Sequence, residues 1–254
     1  MEQAPGKLYL VPAPLDFGCS AEVPLSQVLP NGTMAVAATL CHWISENARS
    51  TRAYLKRIHK LHPLAKPVQE HQIVELPREV RKKGDHAGDF DARSLLTPAL
   101  AGHDTGLISE AGMPAVADPG SSVVRAAHDL GIEVAPLVGP VSLLLALAAS
   151  GLSGQNFAFV GYLPQDGAER GRRLRELEAL ALKSGQTQLF IETPYRNAVL
   201  WQALLQALHP ETRLAVSSGL TLPAGFSRSA TVRQWKRRAA PLDAHTPAVF
   251  AIGR

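Results

Sequence analysis

The stretch from Leu107 to Gly120, LISEAGMPAVADPG, holds the residue types best suited to bind a small molecule. A short apolar strand is predicted to run directly into two turns marked by glycine and proline, and then into a helix. Glycine lets main-chain groups approach a ligand closely, and open α/β sheets bind ligands beyond the carboxyl ends of their strands. The stretch therefore predicts a ligand-binding loop. Asp118 and Pro119 also have the pattern of a helix N-cap and a first helical residue, but this does not explain the earlier triplet GMP.

Two pairs of glutamate and arginine form a second group of candidates for chemistry. Glu46 is followed by Arg49, and Glu192 is followed by Arg196. Charged side chains near a cleft bind substrate or handle protons. At a spacing of three or four residues, the same side chains also form ion pairs within a helix or turn. Both alternatives remain open from the sequence alone.

The surrounding pattern alternates between strands and helices, which predicts an α/β fold with largely parallel sheets. Strands are predicted at Leu8 to Val11, Met34 to Ala38, Gly106 to Ser109, Glu133 to Leu137, Phe157 to Gly161, Gln188 to Glu192, Arg213 to Ser217 and Ala248 to Ile252. Helices are predicted at Ser50 to His59, Asp91 to Leu100, Ser121 to Leu130, Val141 to Ala149, Ala168 to Leu182, Arg196 to Leu208 and Val232 to Ala239. The glycine- and serine-containing segment 149–155 predicts a linker between an N-terminal lobe, 1–150, and a C-terminal lobe, 151–254. A ligand cleft is expected between the two lobes.

The segment 61–89 fits no helical period and is interpreted as an insertion or long loop. Its histidines, His62, His71 and His86, share no single face, so we expect exposed side chains and no metal site. Cys19 and Cys41 are the two cysteines of the chain and lack the spacing of a zinc site or a disulfide framework.

The composition is that of a globular protein, with 46% hydrophobic and 19% charged residues among 254. No apolar run is long enough for a membrane span and the first residues do not resemble a cleaved signal, so a cytoplasmic location is expected.

The net charge is +4. Its basic residues cluster in four blocks, which are either solvated helix faces or contacts for a polyanion. The blocks are Arg49, Arg52, Lys56, Arg57 and Lys60; Arg78, Arg81, Lys82 and Lys83; Arg170, Arg172, Arg173 and Arg175; and Arg228, Arg233, Lys236, Arg237 and Arg238.

Three blocks of the sequence together resemble one known family. They are the run from GLISEAGMPAVADPG to LAASGL, then FAFVGYLP, then FIETPYR. Their order and spacing resemble the tetrapyrrole (corrin/porphyrin) methylase superfamily and, within it, the ribosomal RNA small-subunit methyltransferase I family. The resemblance runs from about Lys7 to Arg254, apart from a poorly matching middle. It implies a two-lobed α/β fold with S-adenosylmethionine in the cleft, methyl transfer to a cytidine 2′-hydroxyl of ribosomal RNA, with ribosomal RNA or the small ribosomal subunit as partner, and a homodimer.

The resemblance also implies which residues bind the cofactor. By position in the family's motifs these are Pro12, Leu15, Gly112, Met113, Pro114, Val116, Val141, Ser142, Ile191, Ser217, Pro247 and Ala248. Glu46, Arg49, Glu192 and Arg196 fall on the substrate side, and no general base is identified. Methyl transfer from a sulfonium needs positioning and a dry pocket more than acid–base groups, so the absence of a catalytic triad is compatible with it.

Several motifs depart from the family pattern. The chain has SEAGMP where the RNA-methylating relatives read SDAGTP, and SGLTL where they read RELTK. The second change removes three charged residues at once, which leaves two alternatives open. One is a methyltransferase that acts on a small tetrapyrrole or corrin-like compound. The other is a module that binds S-adenosylmethionine without turnover.

Overall fold

The computed structural model describes residues 4–85, 88 and 90–254. The chain divides into two compact units. The first comprises Met1–Phe17 and Glu22–Val141, and the second comprises Gly18–Ala21 and Ser142–Arg254. Each unit is built around its own five-stranded sheet, which confirms the predicted α/β class.

The first unit contains an entirely parallel sheet. Its strands are β1 (Leu8–Leu10), β2 (His42–Ser45), β3 (Gln72–Glu75), β4 (Thr105–Ile108) and β5 (Val134–Pro136), in the order β3-β2-β4-β1-β5. Its helices are α1 (Leu25–Val28), α2 (Asn31–Thr39), α3 (Ala48–His59), α4 (Arg78–Lys83), α5 (Thr97–Leu100) and α6 (Ser121–Asp129). The chain runs from β1 through β2 to the edge strand β3. It then returns to β4, between β2 and β1, and crosses β1 to form the other edge strand, β5. The order therefore reverses around β1 and β4, which is where such sheets bind ligands.

Two apolar clusters cover the faces of this sheet. One contains Trp43, Leu55 and Ile58, and the other contains Leu107 and Val123. All four residues of β4 are buried, and because strands that are buried on both faces read as continuous apolar runs, β4 was predictable from the sequence.

The predicted strand from Met34 to Ala38 is wrong, since these residues lie within α2. A short apolar run does not distinguish a strand from a buried helix, and this one is rich in alanine and methionine, which favour helix. The strand of this region is β2, and the sequence analysis missed it. The predicted helix from Asp91 to Leu100 is a 3-10 turn at Arg93–Leu96 followed by α5.

The segment 61–89 is not a plain loop, because it contains a 3-10 turn at Val68–Glu70, then β3 and α4. β3 is an edge strand with largely exposed side chains, and so it lacks an apolar signature. The predicted exposure is also wrong for His71, which is only 4% exposed and accepts a hydrogen bond from Trp43 Nε1 at 3.2 Å. His62 is half-buried, and His86 lies outside the described residues.

The second unit contains a mixed sheet. Its strands are β6 (Phe157–Tyr162), β7 (Thr187–Glu192), β8 (Arg213–Ser218), β9 (Phe226–Thr231) and β10 (Ala248–Gly253), in the order β6-β7-β10-β8-β9. β6 and β7 are parallel, and the other neighbours are antiparallel. The helices are α7 (Ser142–Ser150), α8 (Gly167–Ser184), α9 (Asn197–Ala207) and α10 (Val232–Trp235). Their core includes Phe190, Trp201 and Phe250.

Two other boundaries differ from the predicted ones by more than two residues. α7 contacts β8, β9 and β10 and so belongs to the second unit, which places the division at Val141 and Ser142 rather than at 150. α10 ends at Trp235 rather than at Ala239. In the part of the chain described, no helix is both long enough and apolar enough to cross a membrane.

Candidate functional site

Three loops of the first unit meet where the parallel sheet ends, beyond β1, β4 and β5. Ala13 follows β1 and Gly112 follows β4, and each donates its backbone N–H to the other's carbonyl, at 2.8 and 3.0 Å. A Cβ atom on Gly112 would lie 3.3 Å from Leu15 Cδ2 and 3.6 Å from the carbonyl oxygen of Pro140, which follows β5. We call this region, formed by residues 12–15, 109–120 and 139–140, the carboxyl edge.

Glycine is required at two places in the carboxyl edge. Gly112 has φ of 69°, in the left-handed region that favours glycine. Gly139 packs so closely on Pro12 that a Cβ atom would lie 2.3 Å from Pro12 Cγ. These glycines let the loops pack against one another. The structure thus brings together Pro12, Leu15 and Gly112, three of the residues that the sequence predicted for a cofactor.

The rest of the loop after β4 contains the predicted residues Met113, Pro114 and Val116. Pro114 is buried, Met113 is half-buried and Val116 is 40% exposed. Ala115 and Ala117, on either side of Val116, have φ of 62° and 64°. Such values cost a non-glycine residue about 1 kcal/mol or more, and they cluster at ligand-binding sites.

The end of this loop is held by Asp85, which was not among the predicted site residues. Asp85 is 4% exposed, and its carboxylate accepts hydrogen bonds from Gly120 N at 3.0 Å, Ser122 N at 2.9 Å and the hydroxyls of Ser121 and Ser122. Burial raises the pKa of Asp85, but these hydrogen bonds outweigh burial and hold it below its usual value. Asp85 therefore caps α6.

The predicted cap at Asp118 is wrong, because α6 begins at Ser121 and its N-cap residue is Gly120. Asp118 instead belongs to an acidic group with Glu46 and Glu110. Burial, and then the negative charges of Glu46 and Glu110, raise the pKa of Asp118 to about 7. A carboxyl group with this pKa takes up and releases a proton near neutral pH.

Glu46 and Arg49 have separate environments. Glu46 Oε2 accepts a hydrogen bond from Glu110 N at 2.9 Å, and burial raises the pKa of its carboxyl group. The side chain of Arg49 is exposed on the first turn of α3, which Asn47 caps. The sequence thus indicated a charged residue at this edge but missed its partner Glu110.

Predicted residues of the second unit gather at one edge of the mixed sheet. Ile191 pairs with Val249 and Val249 pairs with Ser217, while Ala248 pairs with Ser218 in the adjacent row. Pro247 precedes β10, and its carbonyl accepts a hydrogen bond from Ser218 Oγ at 3.2 Å. Ser217 and Ala248 are 3% and 4% exposed. Ser142 begins α7, Val141 is the last residue of the first unit, and both are half-buried.

Glu192 and Arg196 form an ion pair, with Arg196 Nη2 3.3 Å from Glu192 Oε2. Glu192 Oε1 also accepts a hydrogen bond from Thr193 N at 2.8 Å, and so Glu192 holds the 3-10 turn at Pro194–Arg196. For this pair the structure supports the internal ion pair that the sequence left open. Among the described residues, no group of three or more histidine, cysteine, aspartate or glutamate side chains is placed to hold a metal ion.

The parallel sheet with its carboxyl edge, followed by a mixed sheet, defines an α/β protein with a candidate ligand site formed by loops. Residues 39–234 match the family described as Tetrapyrrole (Corrin/Porphyrin) Methylases. This match covers more than half of the chain, and the chain belongs to that family.

Among relatives, the chain is 40% identical over 149 residues to the ribosomal RNA small subunit methyltransferase I of Mesorhizobium japonicum, covering 59% of this chain and 49% of that protein. It is 30% identical over 220 residues to the protein of the same name from Micromonospora olivasterospora, covering 87% of this chain and 61% of that protein. The chain thus spans about half to three-fifths of the length of these relatives.

Two solved structures share the fold over 98% of this chain. The methyltransferase CobJ has a TM-score of 0.59 at 17% identity, with 94% of that protein covered. A uroporphyrin-III C-methyltransferase from Thermus thermophilus, complexed with S-adenyl homocysteine, has a TM-score of 0.54 at 18% identity, with 98% covered.

Proposed function

We propose that this chain binds S-adenosylmethionine at the carboxyl edge of the first unit and transfers its methyl group to RNA, with ribosomal RNA of the small subunit as the substrate. Two findings support the proposal. The chain belongs to a family of methylases, and the relatives that it resembles at 30–40% identity are named for methylation of small-subunit ribosomal RNA. The observation that carries the proposal is the meeting of three loops at the point where the strand order reverses.

The groups present at this end of the first sheet fit a sulfonium compound. Carbonyl oxygens and the carboxylates of Glu46, Glu110 and Asp118 favour the positive charge that the sulfonium and amino groups carry. Two buried hydroxyls at the ends of β2 and β4, Ser45 Oγ and Ser109 Oγ, have no hydrogen-bond partner within the described part of the chain. Buried polar groups are normally paired, so these hydroxyls are available to a ligand.

The bound cofactor supplies the methyl group, and the chain supplies positioning. Pro12, Leu15 and Met113 contribute apolar surface that excludes water from the reaction. A hydroxyl group that accepts a methyl group must lose its proton. The carboxylate of Asp118, whose pKa is about 7, is able to take that proton at neutral pH.

A matched pair of glycine substitutions tests the cofactor site. Gly112 and Gly131 both have φ of 69°, so alanine is equally strained at both. Gly112 packs on Leu15, whereas a Cβ atom on Gly131 would have nothing within 4 Å. By isothermal titration calorimetry, we expect Gly112→Ala to weaken S-adenosylmethionine binding about tenfold or more and Gly131→Ala to leave it unchanged. Absence of heat and of a thermal shift with the wild-type protein at millimolar ligand contradicts the proposal.

The methyl acceptor is tested by mass spectrometry of cellular RNA with and without the protein. We expect loss of one ribose methyl group from small-subunit ribosomal RNA. Unchanged RNA, together with methyl transfer to a tetrapyrrole or to neither substrate, contradicts this part of the proposal.

The proposal includes a cytoplasmic homodimer. Exposed apolar side chains on α7 and α9, namely Leu144, Leu145 and Val199, offer surface for such an association. Sedimentation equilibrium is expected to give twice the chain mass, and the mass of a single chain contradicts the homodimer.

A further inference from the structure

A groove in the second unit lies between α9 and the residues that follow α10, and none of the predicted cofactor residues lines it. It has a volume of about 320 Å³, and its lining includes Gln202, Gln206, Lys236 and Arg238. We refer to it as the α9–α10 groove. Its size is comparable to that of small-ligand sites.

The floor of the groove is rigid. The rings of Trp201 and Trp235 meet edge to face at 5.0 Å, and both residues are 1% exposed. Trp235 Nε1 donates a hydrogen bond to the carbonyl of Leu214 at 2.8 Å. The guanidinium of Arg238 lies 5.6 Å from the Trp235 ring centre, and the contact orients this cation.

Each of the four basic blocks contains at least one cation held in an ion pair, and in the block beside this groove that cation is Arg233, which pairs with Glu211. Arg57 is paired with Asp16, Arg81 with Glu75 and Arg173 with Glu176. Within residues 4–85, 88 and 90–254, by contrast, no carboxylate forms an ion pair with Lys236, Arg237 or Arg238. All three are exposed.

The nearest acidic residue that follows in the chain does not neutralise them. Asp243 accepts hydrogen bonds from His245 N and Thr246 N at 2.7 Å each, which hold the pKa of its carboxyl group below the usual value. The Asp243 carboxylate therefore forms its hydrogen bonds within its own turn. The charges of Lys236, Arg237 and Arg238 remain available to a binding partner.

The amide and cationic groups of the groove suit the phosphate backbone of a nucleic acid. Gln202 and Gln206 are four residues apart on the exposed face of α9 and offer amide donors beside the three cations. Because both tryptophan rings are buried, bases have no aromatic face to stack on here. None of the residues that line the groove is an exposed large hydrophobic residue, so the lining lacks the apolar anchors of a membrane-binding face.

We propose that the α9–α10 groove is an RNA-backbone site in which Lys236, Arg237 and Arg238 neutralise phosphates while Gln202 and Gln206 hydrogen-bond to them. The proposal rests on the proposed function, since it names the surface that holds the RNA substrate. It predicts binding that depends on charge and salt and is independent of base sequence.

Fluorescence anisotropy with a fluorescein-labelled oligouridylate tests this site. The variant Lys236→Gln/Arg237→Gln/Arg238→Gln removes three phosphate contacts. We expect its slope of log K against log salt to be shallower by about 2, because each contact with a single strand contributes about 0.7. Its affinity at low salt is expected to fall about tenfold or more.

The matched control is Arg172→Gln/Arg173→Gln/Arg175→Gln on α8, which removes the same charge from an equally exposed block. We expect this control to bind RNA within about twofold of wild type. Equal losses in both triple variants indicate an effect of net charge alone and overturn the proposal. Wild-type affinity in the α10 variant also overturns it, as does binding to phosphatidylserine vesicles without binding to RNA.

Calorimetry separates this proposal from the proposed function. The α10 triple variant is expected to bind S-adenosylmethionine as the wild-type protein does. If wild-type protein binds RNA through this groove but gives no heat with S-adenosylmethionine, the RNA-backbone site is supported and the proposed function is contradicted. If S-adenosylmethionine binds and the α10 variant retains full RNA affinity, the RNA-backbone site is contradicted and the proposed function is unaffected.

Discussion

The carboxyl edge of the first unit and the α9–α10 groove of the second differ in charge and in rigidity. The carboxyl edge adjoins three carboxylates, and its loop contains two alanines in the left-handed region. The α9–α10 groove presents three cations over two interlocked tryptophans. A strained, negatively charged loop suits a compact cationic ligand, whereas a rigid basic groove suits an extended polyanion. Under the proposed function, these two regions divide between them the recognition of the cofactor and of the RNA.

The largest effect is expected from removal of Asp85, which holds the loop of the carboxyl edge. Asp85→Ala leaves the N–H groups of Gly120 and Ser122 without their acceptor, and we expect the free energy of unfolding to fall by about 3 kcal/mol at pH 7. Urea denaturation measures this change.

Asp91→Ala serves as the control for Asp85, because Asp91 is an exposed carboxylate paired with Arg93 and its loss is expected to change stability little. Since the pKa of Asp85 is lowered in the folded protein, its contribution is present above its unfolded pKa and is lost as the pH falls through the folded value. Equal effects of the two substitutions contradict the role of Asp85 as the anchor of the loop.

A smaller effect, dependent on pH, is expected from Asp118. Its raised pKa means that the folded protein is penalised as the pH rises from about 4 to 7, because the unfolded chain ionises first. Asp118→Asn removes this penalty. The full shift corresponds to about 4 kcal/mol, which solvent screening at this half-buried position reduces to about 2 kcal/mol.

Thermal unfolding at a series of pH values checks the prediction for Asp118. Wild type and Asp118→Asn are expected to have similar stability at pH 4, and the variant is expected to be more stable at pH 8. A stability difference that is constant with pH contradicts the negative environment assigned to the carboxyl edge.

The smallest effect concerns strain in the same loop. Ala117→Gly relieves a left-handed alanine, and we expect a gain of about 0.5 kcal/mol after the greater entropy of the unfolded glycine is included. The same change in a helix, Ala149→Gly in α7, is expected to cost about 1 kcal/mol. Chemical denaturation of both variants checks the opposite signs, and a loss in both shows that the loop is unstrained.

The sequence predicted the parts of the fold that are signalled by continuous apolar runs. β4 was found because both of its faces are buried, and β1 and β5 were found from short apolar runs. β9, with the sequence FSRSAT, was missed because it is a largely polar edge strand. The turn at Gly112 was predictable because a glycine just after a strand is typical of a turn, and its role in cofactor binding stays a prediction. Asp85 was not predictable, because it caps a helix that begins 36 residues later and only the tertiary fold brings the two together.

Hydrogen exchange with mass spectrometry tests the central claim most directly, since it compares the two regions in one experiment. Addition of S-adenosylmethionine is expected to slow amide exchange in peptides that cover residues 109–120 and to leave peptides of α9 and residues 232–240 unchanged. Protection confined to α9 and residues 232–240, or no protection in 109–120 at saturating ligand, would contradict the assignment of the cofactor site to the carboxyl edge.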